Sequence, residues 1–216
     1  MTLHSRRDTN SGSRYQPKGA KRLFEFELVD FSALTPEANA ELLGDAGGAN
    51  SLFLASRAWS ALSRQLWIAV GNIYVALRAL PRVWTGPAAT GMAKAGARYL
   101  AWLRDTIAHV EVTAEQIERI AVAYDAAQTA MVPKQTCADL RAAIDGLIAQ
   151  DRFGENYPVI AANEAKYHQH WESNAQVMKT YAKEVSTALS LMTPFAEAPQ
   201  IVHQTKAVET ASCLVQ

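Results

Sequence analysis

The stretch "LPRVWTGPAATG", residues 80–91, decides the fold because it places a turn between two long helical patterns. Pro81 disfavours helix at the residue before it and so ends the first pattern. Gly86 can adopt a positive φ or serve as an N-cap, and Pro87 suits the first position of a helix. The sequence therefore predicts a hairpin of two antiparallel helices with Trp84 in the turn.

Before the turn, apolar or small residues recur at alternating spacings of three and four, starting from a capping residue at Asn50 or Ser51. They are Leu52, Ala55, Trp59, Leu62, Leu66, Ala69, Ile73, Ala76 and Leu80. A second apolar line consists of Trp67, Val70, Tyr74 and Leu77. This pattern is typical of an amphipathic helix with a coiled-coil seam, and its widening predicts more than one partner helix.

After the turn, the same alternation runs from about Pro87 to Met131, with Gln128 as a polar exception. It is carried by Leu100, Leu103, Ile107, Val110, Ala114, Ile117, Ala121, Tyr124 and Met131. At about 1.5 Å per residue, residues 51–80 span roughly 45 Å and residues 87–131 roughly 67 Å. Because the first helix is too short to cover the second, we expect later elements to cover the overhang.

Two further helical patterns follow a break at Val132 and Pro133. A short helix ends near Gln150, and a last helix runs from about Pro158 to Met192. No strand pattern is present in the sequence. We predict an all-α fold, an elongated bundle of about five helices, in which two very long antiparallel helices are joined by a Trp-x-Gly turn.

Composition excludes several function classes. The 21 basic and 21 acidic residues cancel, so no overall field attracts nucleic acid or an anionic membrane. The apolar run between Arg64 and Arg78 is shorter than the roughly 20 residues that span a bilayer. Cys137 and Cys213 lie far apart, and we interpret both as free thiols. We therefore predict no nucleic-acid partner and no transmembrane segment.

The two ends of the chain differ from its middle. Residues 1–28 are basic and polar without a repeating apolar pattern, so we expect disorder there. The twin arginine, Arg6 and Arg7, is not followed by the apolar stretch that an export signal needs. We assign residues 29–195 to the helical domain and residues 196–216 to a short C-terminal tail.

Catalytic and metal-binding patterns are not evident in the sequence. His168 and His170 are two residues apart and would point roughly 200° apart on a helix, so they cannot share an ion. Glu164 and His168, four residues apart, fit a surface pair. The "GDAGG" stretch follows no strand and so does not predict a phosphate-binding loop. We predict no enzymatic activity, no cofactor and no metal.

Three separated stretches resemble the N-terminal domain of the mycobacterial PPE family, named for Pro-Pro-Glu. They are "VDFSALTPEANAELLGDAGGANSLFLASRAWSALSRQL", "VWTGPAATGMAKAGARYLAWL" and "DRFGENYPVIAANEAKYHQHWESNAQVMKTYA". The resemblance covers about residues 29–196, with order and spacing kept. The name motif here is Thr35, Pro36 and Glu37, in which threonine can cap a helix, proline can open it and glutamate favours its N-terminal dipole.

The resemblance implies a non-enzymatic protein that forms a heterodimer with a small two-helix PE protein. The resemblance also implies that the pair is cytoplasmic at first and is then exported folded by a type VII secretion system to the bacterial surface or the host. For the PE interface we predict residues of both long helices. They are Leu62, Leu66, Ile73, Leu100, Leu103 and Ile107.

Trp84, Thr85 and Gly86 match the family's Trp-x-Gly turn, which lies beside a Tyr-x-x-x-Asp/Glu export signal on the PE partner. No tyrosine of this chain is followed four residues later by Asp or Glu, so the signal must come from the partner. Two interpretations of Trp84 stay open. It either closes the bundle end as a hydrophobic plug or is displayed to a partner.

The stretch "DRFGENYP" matches the loop between the fourth and fifth helices of the family. There, two apolar residues before a glycine bind a cytosolic secretion chaperone. In this chain only Phe153 remains before Gly154, and Arg152 replaces its neighbour, which disfavours an apolar contact unless the chaperone offers an acid. We predict a weakened chaperone-binding tip; the alternative is that Phe153 merely packs under the loop.

Two further departures from the family bear on function. Family members begin at the equivalent of Val29 or Asp30, which suggests a start site set too far upstream in this chain. Many members also carry a long, variable C-terminal region. An alternative function is a cytoplasmic helical interaction module, or a decayed PPE paralogue that is not secreted. Chaperone binding would separate this alternative from the exported heterodimer.

Overall fold

The computed structural model describes residues 29–45 and 47–201, which form five α-helices without any strand. The helices are α1 (Pro36–Gly44), α2 (Asn50–Ala79), α3 (Pro87–Ala130), α4 (Lys134–Gln150) and α5 (Tyr157–Leu191). The predicted all-α bundle with two very long helices is confirmed. Residues 1–28, for which we expect disorder, and residues 202–216 of the predicted tail lie outside the described part.

The hairpin between α2 and α3 forms as the turn residues predict. A single 3-10 turn, Leu80–Arg82, follows α2. Gly86 caps α3 with a φ of 104°, a conformation that side chains with a Cβ rarely adopt, and Pro87 opens the helix. With 30 and 44 residues, α2 and α3 are about 45 Å and about 66 Å long.

The overhang of α3 is covered by α1 and α5. Ala121, Tyr124 and Ala127 of α3 pack against Met178 and its neighbours on α5 in one buried cluster. The Tyr124 hydroxyl donates a hydrogen bond of 3.0 Å to the carbonyl oxygen of Leu43 at the end of α1. The later elements therefore supply the cover that the unequal helix lengths require.

A second cluster joins α4 to α5 through Cys137, Ile144 and Tyr167. Cys137 is a buried free thiol, and burial, aided by the nearby Glu37 charge, raises its pKa. A raised pKa keeps the sulfur protonated and unreactive, so Cys137 acts as a small apolar core residue. Cys213, the other predicted free thiol, lies outside the described residues.

We call the hairpin ends of α2 and α3, residues 62–80 and 87–107, the arm. Its core cluster draws only on these two helices and consists of Val70, Leu100, Leu103 and Ile107. Partly buried apolar side chains surround it: Leu66, Ile73, Leu77, Tyr99 and Trp102. A core built from two helices is thin, and in the described part of the chain many apolar side chains of the arm stay exposed.

Candidate functional site

The arm exposes several large apolar side chains. On α2, both Ile68 and Val75 are 65% exposed, and Trp67 and Tyr74 are about half exposed. Ile68 and Val75 are seven residues apart, as are Trp67 and Tyr74, so the two members of each pair lie on the same side of the helix. Contiguous exposed apolar surface of this kind marks interaction sites in folded proteins.

The six residues predicted for the PE interface divide into two groups. Leu62 is exposed, and Leu66 and Ile73 are partly buried at the edge of the arm core. The other three, Leu100, Leu103 and Ile107, are at most 6% exposed and join α3 to α2. Their burial removes them from direct contact with a partner, because the inner seam of α3 is already filled by α2.

One flank of the hairpin carries a hydrogen-bonded tryptophan. Ser63 Oγ and Trp67 Nε1 both donate to Oε1 of Glu111, at 2.7 Å and 3.1 Å. The carboxylate thus satisfies the indole N–H while the ring stays 48% exposed. A tryptophan whose polar atom is already paired can offer its apolar surface to a partner without a desolvation cost at that atom.

The opposite flank holds the segment that follows α5. The ring of Phe195 is stacked on Trp59, with centroids 6.0 Å apart and planes within 6°, and lies 6.1 Å from the ring of His109. Trp102 Nε1 donates a hydrogen bond of 3.0 Å to the carbonyl oxygen of Ala196. We call residues 192–201 the C-terminal strap.

The two flanks face away from each other because His109 and Glu111 are two residues apart on α3, which is about 200° around the helix. The strap could not be predicted from periodicity, because residues 193–201 form no helix or strand. Phe195 between Pro194 and Pro199 was its only available signal.

At the hairpin turn, Trp84 is 41% exposed and Val83 is 85% exposed. Trp84 and Gly86 line a pocket of about 300 Å³ whose floor includes Leu77 and Ala93. Trp84 belongs to none of the described core clusters. A plug would be enclosed, so this degree of exposure favours the interpretation of Trp84 as a displayed side chain.

The loop between α4 and α5 forms an exposed turn. Phe153 is 86% exposed, so it does not pack under the loop. Gly154 has a φ of 83°, and its amide donates a hydrogen bond of 2.7 Å to Asp151 Oδ1. Arg152 lies between these groups at the surface. The turn therefore presents a phenylalanine and a cation side by side.

Three further apolar side chains flank this turn and escaped the sequence analysis. Ile148, Tyr157 and Val159 are 52%, 71% and 51% exposed. We call residues 148–159 the tip. Ile148 lies in the last turn of α4, with about half of its surface exposed. The tip is thus more apolar than Phe153 alone suggests.

The Thr35-Pro36-Glu37 motif has a structural role at the start of α1. Thr35 Oγ1 accepts a hydrogen bond of 3.2 Å from the Ala38 amide, and Pro36 stands in the first turn, as predicted. Glu37 Oε2 accepts a hydrogen bond of 2.9 Å from the hydroxyl of Tyr167 on α5. The motif therefore both caps α1 and ties it to the last helix.

Residues 29–45 and 47–201 contain neither a metal-binding cluster nor a membrane-spanning helix. No group of three or more His, Cys, Asp or Glu side chains within these ranges is placed to hold a metal ion. No helix there is both long enough and apolar enough to cross a bilayer. The surfaces that remain are the arm, the turn and the tip.

The chain is similar to known proteins over most of its length. The sequence profile of the PPE family matches residues 30–193 of this chain. PPE29 of Mycobacterium tuberculosis is 36% identical over 188 residues, which is 87% of this chain and 44% of that protein. PPE18 of the same species is 35% identical over 192 residues, or 86% of this chain and 49% of PPE18. This chain spans less than half the length of these relatives.

Proposed function

This chain belongs to the PPE family, and from that premise we propose that it is a non-enzymatic partner-binding protein. Its partner is a PE protein, with which it forms a heterodimer. The pair is exported from the cytoplasm by a type VII secretion system and acts at the bacterial surface or on the host.

The observation that carries this proposal is the exposed apolar surface of the arm. Two helices share one thin core there, and Leu62, Trp67 and Ile68 remain at the surface. Two helices from a PE protein would turn this hairpin into a four-helix bundle, which encloses apolar seams on all its members. One PE partner would thus account both for the exposed apolar area and for the arm's having only two helices.

Within this proposal, the predicted interface residues act in two ways. Leu62, Leu66 and Ile73 contact the PE protein directly, because they reach the surface of the arm. Leu100 and its neighbours in the core act indirectly, because they fix the spacing between α2 and α3. Substitutions in the second group should therefore weaken folding before they weaken pairing.

The turn and the tip lie at opposite ends of α3, which suits two separate roles. Trp84 and Gly86 would stand beside the export signal of the PE protein at the hairpin end. Arg152, Phe153 and Gly154, flanked by Ile148, would contact a cytosolic chaperone at the other end. With 44 residues of α3 between them, a PE protein on the arm leaves the tip free.

One observation favours the alternative, a cytoplasmic interaction module or decayed paralogue that is not secreted. Arg152 lies beside Phe153 in a surface that would otherwise be apolar, and burying an unpaired guanidinium is costly. Binding of a secretion chaperone to the purified heterodimer separates the two functions. A tip that binds no chaperone of the same genome supports the alternative.

The experiment that tests pairing is co-expression with each candidate PE protein, followed by measurement of the mass of the complex by light scattering. We expect a 1:1 complex. Leu66→Glu should prevent its formation, because it places a charge in the interface. Val122→Glu, an exposed position of α3 outside the arm, is the matched control and should pair normally. A stable monomer that forms no complex with any candidate PE protein would contradict the proposal.

A further inference from the structure

The C-terminal strap continues the course of α5 along α3 toward the hairpin turn. Near the end of α5, Glu184 pairs with Arg119 at 2.8 Å. Further along the chain, Phe195 lies against His109 and Ala196 accepts a hydrogen bond from Trp102. As residue numbers rise from α5 into the strap, the numbers of the α3 residues that they contact fall. The strap therefore runs toward the hairpin end of α3 and onto the arm.

The strap occupies one end of an apolar line that runs through the arm. Trp59, which stacks on Phe195, is followed on α2 at intervals of seven residues by Leu66 and Ile73. Residues seven apart lie on the same side of a helix, so all three border the same groove between α2 and α3. Leu66 and Ile73 are two of the residues through which we propose that the PE protein binds.

The strap is held only at its surface. Phe195 is 44% exposed and Ile201 is 52% exposed, and none of the three described core clusters includes a residue of the strap. By contrast, Met178 of α5 is fully buried. The strap can therefore leave the groove while the helical core stays folded, since segments with few buried contacts open locally.

We propose that the strap and a helix of the PE protein are alternative occupants of this groove, and that pairing displaces residues 192–201. This inference rests on the proposed function. The groove specifies the chemistry of the incoming helix. An apolar side chain would replace Phe195 between Trp59 and His109. A side-chain oxygen would accept from Trp102 Nε1, because the carbonyls of a helix are already used within it.

Under competition, the apparent Kd for the PE protein equals the Kd of the open groove divided by the fraction of chains whose groove is open. Phe195→Ala removes the ring that contacts Trp59 and so increases that fraction. We expect the apparent Kd for the PE protein to fall about threefold to tenfold. Val122→Ala, at an exposed site away from the groove, should leave the Kd unchanged.

The test is a titration of the full chain against the labelled PE protein that co-purifies with it, followed by fluorescence anisotropy. Amide hydrogen exchange on the complex provides a second measurement, in which residues 195–201 should exchange faster than in the free chain. Equal Kd values for wild type and Phe195→Ala, or slower exchange of the strap in the complex, would overturn the competition and leave the pairing intact. If no PE protein binds either form, the proposed function fails as well.

Discussion

The hydroxyl of Tyr167 on α5 donates a hydrogen bond of 2.9 Å to the carboxylate of Glu37, the last residue of the Thr-Pro-Glu motif. The guanidinium of Arg141 lies 5.1 Å from the centre of the Tyr167 ring. Three helices, α1, α4 and α5, therefore meet at one buried tyrosine. The motif that names the family has a stabilising role here.

This contact makes stability depend on pH in a defined range. Burial, followed by the hydrogen bond to Glu37, raises the pKa of Tyr167 from 10.0 to about 12. The unfolded chain loses the proton first as pH rises, so the contribution is complete below pH 10 and is lost toward about pH 12. We expect Tyr167→Phe to lower the free energy of unfolding by about 1–2 kcal/mol at pH 8, with the deficit shrinking between pH 10 and 12.

Urea unfolding across this pH range measures the deficit. Tyr157→Phe is the matched control, because the Tyr157 side chain is 71% exposed. A deficit for Tyr167→Phe that stays constant from pH 8 to 12 would contradict the link between Tyr167 ionisation and folding.

Two glycines of α3 should respond differently to the same change. A Cβ at Gly96 would lie 2.6 Å from Cδ2 of Leu77, whereas a Cβ at Gly91 meets nothing within 4 Å. Gly91→Ala should stabilise the protein by roughly 0.5–1 kcal/mol, because alanine favours helix. Gly96→Ala should stabilise the protein less than Gly91→Ala or should destabilise it, because Leu77 must shift within the arm. Thermal melting of both variants measures the difference, and equal gains would argue against close packing at Gly96.

Trp84→Ala should separate export from folding. Trp84 is 41% exposed and lies outside the core clusters, so the melting temperature of the heterodimer should change little. Under the proposed function, secretion into the culture medium should fall, because the displayed indole is lost from the turn that we propose acts in export. Truncation of an enclosed tryptophan would instead cost about 3–5 kcal/mol. A large fall in melting temperature together with loss of pairing would restore the plug interpretation.

Under the proposed chaperone contact at the tip, Phe153→Ala should abolish chaperone binding and Arg152→Phe should strengthen it. Burial of a phenylalanine contributes about 1.5–3 kcal/mol, and an unpaired buried arginine opposes the same contact. Titration calorimetry on the purified heterodimer measures both effects, with Asp145→Ala as a surface control nearby on α4. Weaker binding by Arg152→Phe would show instead that the chaperone offers an acid to the arginine.

The sequence predicted the helices well because their boundaries depend on local rules. Pro87 and Gly86 specify the start of α3, and periodicity alone reveals the apolar side of each long helix. Periodicity shows that a side is buried but not what buries it. For that reason Leu103 was assigned to a partner, although α2 covers it.

Such local rules could not predict contacts between individual residues that lie far apart in the sequence. The bond between Tyr167 and Glu37 joins positions 130 residues apart, and nothing in either local pattern selects the other. The contact of Phe195 with Trp59 could not be predicted either, because the strap forms no helix or strand and has no repeating apolar spacing. Local patterns thus predicted the helices, whereas the contacts between distant residues became visible only in the three-dimensional structure.

The central claim is that the arm binds a PE protein through the groove bordered by Leu66 and Ile73. Photo-crosslinking in cells tests it most directly, with p-benzoylphenylalanine incorporated at position 66, 73 or 122 and the PE protein co-expressed. We predict a covalent product with the mass of the heterodimer from positions 66 and 73, and none from position 122. A product from position 122 alone, with none from either arm position, would contradict the account.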